Sequence, residues 1–379
     1  MKTPVTEMFG VEFPLLAFSH CRDVVVAVSR AGGFGVLGAA GYDPRELEME
    51  LKWIDDHIGG KPYGVDLIVP EKFEGKGEHL DSASLLARIP PQHWEFTRRL
   101  LAQYGIDAEN FQGSANDLAV ANRFTDEGVE ASLDVAFNHP IKFIANALGV
   151  PPQFMIDRAH REGVPIGALV GAEKHAVRQV QAGIDLLIAQ SYEAGGHTGD
   201  IGGMVLTPAV IEAIRDVRRV PVVAAGGIVT GRQMAAALAL GADGVWTGSV
   251  WLTTHEAETQ PTVKEKFLVA SASDTVRSRF RTGKPARQLR TAWHDAWESR
   301  ESPGPLPMPL MSVVSQEAFR RIDAAAANGN PGAQQLASYF VGQGVTLLKA
   351  RPAAEVVYAM VEEAADTLER LGKLIAASV

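Results

Sequence analysis

Short apolar runs recur along this chain, and most are followed by a segment with helical periodicity. The clearest repeat lies between Val220 and Leu252. There VPVVAAGGI (Val220–Ile228) reads as a buried strand ending at Gly226-Gly227, and DGVWTGSVWL (Asp243–Leu252) as another with Gly248-Ser249 at a similar point. Thr230 is placed to cap an intervening helix through Met234, Ala235, Ala236 and Leu238, with Gly241 as its stop. Strand, helix and strand in so short a span form a βαβ unit, with both Gly-containing ends on one side of the sheet. The same rhythm recurs at Phe13–Phe18, Phe34–Ala39, Tyr63–Val69, Ile141–Ala147, Pro165–Val170 and Leu186–Ala189. Eight strands alternating with helices predict an α/β fold, a (β/α)8 TIM barrel in preference to a doubly wound sheet.

Local signals agree with that frame. Asp43, Pro44 and Glu46 form a capping-box start for a helix whose Leu47, Leu51 and Ile54 share one face. Asp23 is a candidate cap for the apolar segment Val24–Ala31, which stops at Gly32-Gly33. The rhythm breaks between Glu71 and Pro140, where EKFEGKGEHL is loop-like and helical patterns lie at Trp94–Tyr104 and Ala115–Glu127. An insertion of about 70 residues is long for a βα connection and reads as a helical lid over the strand ends. Beyond Leu252 the chain reads as polar and irregular (RTGKPARQLRT, SPGPLPMPL) until a long amphipathic helix near Ala353–Ala377. The expected organisation is therefore a barrel of residues 1–70 and 140–255, an insertion over 71–139, and an extension over 256–379 packed on the barrel. In the last helix Val356, Val357, Met360, Val361 and Leu368 are suited either to covering the barrel or to pairing in a homodimer.

Composition narrows the function classes. A net charge of −9 with no basic cluster argues against a nucleic-acid surface. Cys21 is the single cysteine, which excludes an intrachain disulfide and a thiolate zinc site. No apolar run approaches membrane-spanning length, and Glu7 and Glu12 stand where a signal peptide needs an apolar core, so no membrane partner and a cytoplasmic location are expected. His139, His160 and His175 have no metal-ligand spacing to a second His or carboxylate, and no metal is expected.

Candidate chemistry concentrates at Asp185–Gly203, DLLIAQSYEAGGHTGDIGG. A buried strand opens into a loop with Gly195, Gly196, Gly199, Gly202 and Gly203 around one imidazole, His197. The glycines let a ligand approach the backbone, and an imidazole suits proton transfer near neutrality, which makes His197 the candidate catalytic residue. His20 follows the first strand, on the same mouth of the barrel, as a substrate-side candidate. Gly226-Gly227 and Gly248-Ser249 suit a phosphate held by backbone N–H groups and the Ser249 hydroxyl. No Walker sequence is present, so the phosphate is expected to belong to flavin mononucleotide or a phosphosugar. Gly33, Gly35 and Gly38 satisfy G-x-G-x-x-G, but a helix precedes them and the motif itself reads as a strand, the wrong context for a dinucleotide.

With these motifs in place, the sequence resembles the nitronate monooxygenase family, formerly called 2-nitropropane dioxygenase. The resemblance is carried by EAGGHTG (Glu193–Gly199), AAGGI (Ala224–Ile228), LGADGVWTGSVWL (Leu240–Leu252) and SRAGGFGVLG (Ser29–Gly38). It implies an FMN-dependent TIM barrel in which His197 is the active-site histidine. It also implies flavin contacts at Ala17, Phe18, Asp66, Gln190, Gly195 and Gly196, and phosphate contacts at Gly226, Gly227, Gly248 and Ser249. Asp66 stands where many members have Asn, and a carboxylate there disfavours an anionic reduced flavin. The FSHCRD segment replaces a small-residue loop. The implied activity is oxidation of alkyl nitronates with O2. The alternative within the superfamily is an NAD(P)H-dependent quinone or enoyl/enone reductase. An isomerase or aldolase of phosphosugars would want a Lys or Glu at a strand end; Glu193 qualifies, but no lysine does.

Overall fold

The computed structural model describes residues 1–69, 86–111 and 126–376. Eight parallel strands close into a barrel in chain order: β1 (Leu15–Ser19), β2 (Phe34–Gly38), β3 (Tyr63–Leu67), β4 (Phe143–Asn146), β5 (Ile166–Val170), β6 (Leu186–Gln190), β8 (Val222–Ala225) and β9 (Gly244–Thr247). Closure falls at Ala17, which lies opposite Gly35 of β2 and Thr247 of β9. All eight match the apolar runs of the sequence, because strands buried on both faces need continuous apolar stretches.

Inward-facing Leu16, Phe34, Val36, Phe143, Ala145, Leu186, Ile188, Val223, Ala225 and Trp246 fill the barrel. The helix Pro4–Phe9 plugs the N-terminal end, where Phe9 stacks on Phe34 with ring centroids 4.3 Å apart. The G-x-G-x-x-G glycines prove to be packing devices. A Cβ on Gly35 would lie 2.4 Å from Val25 O of the helix Arg22–Arg30, and one on Gly38 would strike the rings of His20 and Phe18. That helix starts at Cys21, not Asp23, and has no side-chain cap. The helix Pro44–His57 has the expected Asp43/Glu46 capping box.

Two regions differ from the sequence reading. The helix Asp126–Phe137, at the end of the expected insertion, packs against Pro44–His57 in the regular outer ring and serves as the barrel's β3–β4 helix. The helix Pro91–Gln103 instead shares a core with the C-terminal region, its Phe96 ring 4.7 Å from that of Trp297. The expected helix Ala115–Glu127 and the EKFEGKGEHL loop fall almost wholly outside the described residues.

The region beyond Leu252 is far from irregular. It contains β10 (Thr275–Ser278), β11 (Ala286–Leu289) and helices including Ala292–Trp297 and Leu310–Ala327. Trp251, Trp293, Trp297, Phe267 and Met311 are buried in one core with the outer faces of β1 and β9. The β10–β11 hairpin pairs with β7 (Gly196–His197), the short strand of the His197 loop. The final helix Ala353–Ala376 buries Val356, Val357 and Met360 and packs on Gly231–Ala239. A Cβ on Gly231 would lie 2.1 Å from Met360 O, and Glu363 accepts the Gly231 N–H at 2.8 Å. Among the described residues no helix is long and apolar enough to cross a membrane.

Candidate active site

The C-terminal ends of the barrel strands form the mouth. Alternation along each strand decides which side chains enter it. Phe18 extends the inward row of Leu16, Asp66 lies opposite inward-facing Ala145, and Gln190 follows Ile188. Phe18 stacks on Trp246 and meets His20 edge-on. Ala17 turns its methyl outward into the helical core, so only its backbone borders the mouth. His20 Nδ1 hydrogen-bonds Gly38 O at 2.9 Å.

His197 is held from outside the barrel. Its strand β7 is paired to β11, with His197 opposite Ala286. The Thr282 hydroxyl donates to Lys284 O at 3.2 Å and lies 2.8 Å from His197 Nε2. With that hydrogen on Lys284 O, the hydroxyl accepts from the imidazole; in this tautomer Nε2 carries the hydrogen and Nδ1 keeps the lone pair. Desolvation, followed by the positive charge of Lys284, lowers the His197 pKa to about 4. The ring is neutral at neutral pH and equipped to accept a proton. Phe340 lies beside it, with ring centroids 6.4 Å apart.

The adjoining rim, at the ends of β8 and β9, is built from backbone. Gly226 and Gly227 have φ of 110° and 70°, values open to glycine, and a Cβ on Gly226 would lie 2.2 Å from Ser191 Oγ. Around a Cβ placed on Gly248 the nearest atom is 3.9 Å away, and around one on Gly196 nothing lies within 4 Å, so both backbones face open space. Ser249 Oγ accepts the Gly342 N–H at 2.8 Å, which leaves its own hydrogen to donate. Gly342 belongs to a segment that crosses the His197 loop at Gly195, where a Cβ would lie 2.9 Å from Gly342 N. Gln343 N donates to Glu193 O at 2.9 Å.

Phe18, Asp66, Gln190 and the glycines after β8 and β9 thus lie at the C-terminal ends of the strands, with His20 and His197 in the loops that follow β1 and β6. Sequence reasoning missed Thr282, Lys284, Phe340 and Gly342, all from the extension. The one local sign was the turn Thr282-Gly283-Lys284-Pro285, whose Gly283 sits at φ 84°.

The fold is that of an α/β-barrel enzyme. The family model for nitronate monooxygenase matches residues 2–363. Rv1533 of Mycobacterium tuberculosis is 52% identical over 99% of this chain and 100% of its own length. A "Probable nitronate monooxygenase" of Staphylococcus saprophyticus is 26% identical, covering 98% of this chain and 99% of its own. Among solved structures, nitroalkane oxidase from Streptomyces ansochromogenes superposes with a TM-score of 0.77 at 25% identity, covering 97% of this chain and 99% of its own. FabK from Thermotoga maritima shares the fold, with a TM-score of 0.71 at 24% identity and 99% coverage of both chains. This chain belongs to the nitronate monooxygenase family and is a flavin-dependent oxidoreductase.

Proposed function

We propose that the protein is an FMN-dependent monooxygenase that oxidises alkyl nitronates with O2. The observation that carries the reading is a neutral His197, oriented by Thr282, in the loop after β6 and beside the glycine-rich ends of β8 and β9. The residues present fit FMN. Gly248 has backbone facing open space, Gly226 and Gly227 would add backbone N–H groups at the end of the neighbouring strand, and Ser249 has a spare hydroxyl hydrogen for the phosphate. Phe18, Asp66, Gln190, Gly195 and Gly196 would border the ring, with Ala17 contributing backbone alone. When bound, FMN supplies two-electron chemistry and a site for reaction with O2.

The chain's own residues would bind and prepare the substrate. With its Nε2 hydrogen committed to Thr282, His197 offers Nδ1 to the α-proton of a neutral nitroalkane, generating the nitronate in place. Lys284 contributes positive charge that keeps the imidazole neutral and favours an anionic substrate. Phe340 and the β7–β11 sheet limit water on that side.

Replacing His197 with Asn should abolish nitroalkane turnover while the purified protein stays yellow. Loss of flavin in that variant would instead make His197 structural. An anaerobic visible spectrum separates this reading from its rival. Bleaching by an added nitronate, with no response to NADH or NADPH, supports a nitronate monooxygenase. Rapid bleaching by either nucleotide points to an NAD(P)H-dependent quinone or enoyl/enone reductase. A protein that takes up no FMN defeats both.

A further inference from the structure

Asp66 is an unusual group to find in a barrel. It is 3% exposed, and its Oδ1 is fully buried with no hydrogen-bond partner. By register it lies opposite Gly38 on β2 and Ala145 on β4. Ala145 faces the barrel interior, so Asp66 does too, on the last inward turn of β3 before the mouth. The space beside it at Gly38 is filled by the rings of Phe18 and His20.

An ionised carboxylate in such a place needs a cation or several N–H donors. Among the described residues neither is supplied. At Gly38, opposite Asp66 in register, the ring of His20 has its Nδ1 engaged with Gly38 O at 2.9 Å. On β4, Asn146 is neutral and spends its amide on Val69 and Gly149. Burial alone raises the Asp66 pKa, to about 8, with no charged neighbour contributing among the described residues. At neutral pH the group is a carboxylic acid, a hydrogen-bond donor whose buried Oδ1 has no partner among the described residues.

We propose that Asp66 enters the cofactor site as a neutral acid and donates its proton to an acceptor atom of the flavin ring. This rests on the FMN reading above and goes beyond it. The departure from Asn then changes the chemistry less than the charge suggests, because a protonated carboxyl and an amide both donate. What differs is that the acid can be switched off. Ionisation removes the donor and places a negative charge beside the ring, so flavin affinity is tied to one proton on this side chain.

The test is FMN binding to the flavin-free protein between pH 7 and pH 9, compared with Asp66→Asn. The native protein should bind FMN about tenfold more weakly at pH 9 than at pH 7, since binding draws on the protonated form only. Asp66→Asn should lose most of that dependence, and any alkaline titration of the flavin itself cancels in the comparison. Equal pH dependence in the two proteins overturns the proposal while leaving the FMN reading intact. Failure of the native protein to bind FMN at any pH overturns both. A second readout needs no refolded variant to be fully native. The infrared spectrum of the native holoprotein at neutral pH should contain a protonated-carboxyl C=O band that disappears in Asp66→Asn. Its absence from the native spectrum also overturns the proposal.

Discussion

The two sides of the mouth are built by different means. The β8–β9 rim is made of backbone, from glycines at the ends of consecutive strands joined by one helix. The wall around His197 is made of side chains, and most of them come from the extension: Thr282, Lys284 and Phe340. A backbone rim can hold the same group whatever the substrate, whereas a side-chain wall can be retuned residue by residue. On the proposed function the rim retains the cofactor and the wall performs the proton chemistry. Damage to one should therefore look unlike damage to the other.

The sharpest way to break this contrast is Gly226→Ala. The new methyl would have to occupy φ 110° and approach Ser191 Oγ to 2.2 Å. Ser191 is itself fully buried, so neither side can yield cheaply. The expected cost is on the order of 3 kcal/mol or more, with loss of bound flavin. Flavin absorbance of the purified variant and its urea midpoint read both effects. A stable, fully yellow Gly226→Ala would show that the rim is not what holds the cofactor.

The same contrast explains what the sequence disclosed. Every barrel strand was legible because burial on both faces demands apolar runs, as in LLIA and VVAA, and because the capping residues are local. The glycines at the ends of β8 and β9 were legible for the same reason: they directly follow those runs. The wall was not. Strands β10 and β11, with sequences TVRS and ARQL, are short and carry arginines, and what makes them strands is pairing with each other and with two residues of the His197 loop. No local window contains that information. Arg287 shows the cost of reading residues alone: it is polar in sequence yet 2% exposed, its guanidinium donating to Tyr192 O and Thr275 Oγ1. Asp66 was legible as a departure from the family pattern, but its protonation depends on a barrel interior that only the fold supplies.

A milder perturbation tests the wall. Thr282→Val keeps the shape of the side chain but removes the oxygen that accepts the His197 Nε2 hydrogen. The imidazole then loses its tautomer preference and its orientation. Turnover of neutral nitroalkanes, as kcat/KM, should fall by about ten- to a hundredfold, since tautomer control is part of a general base's contribution. Flavin content should be unchanged, preformed nitronates should suffer less than neutral nitroalkanes, and Thr282→Ser should restore activity. An equal loss on both substrates would place Thr282 in packing rather than in proton transfer.

The smallest effect concerns charge alone. His197 is neutral because desolvation opposes its protonation and Lys284 adds to that opposition, the first being the larger cause. As pH falls through about 4 the imidazole gains its proton and stops being a base, so kcat/KM for nitroalkanes should show an acidic limb there, well below the ordinary histidine value. Lys284→Gln removes only the second cause. The limb should move upward, toward but not as far as the ordinary value, because the buried surroundings remain. Two influences on the same rate can be separated by pH. Above the limb, loss of the positive charge can weaken only the attraction for an anionic nitronate, while within it the variant also loses more of its base. A limb that stays in place would mean that Lys284 does not act electrostatically on His197, and that the wall works by desolvation alone.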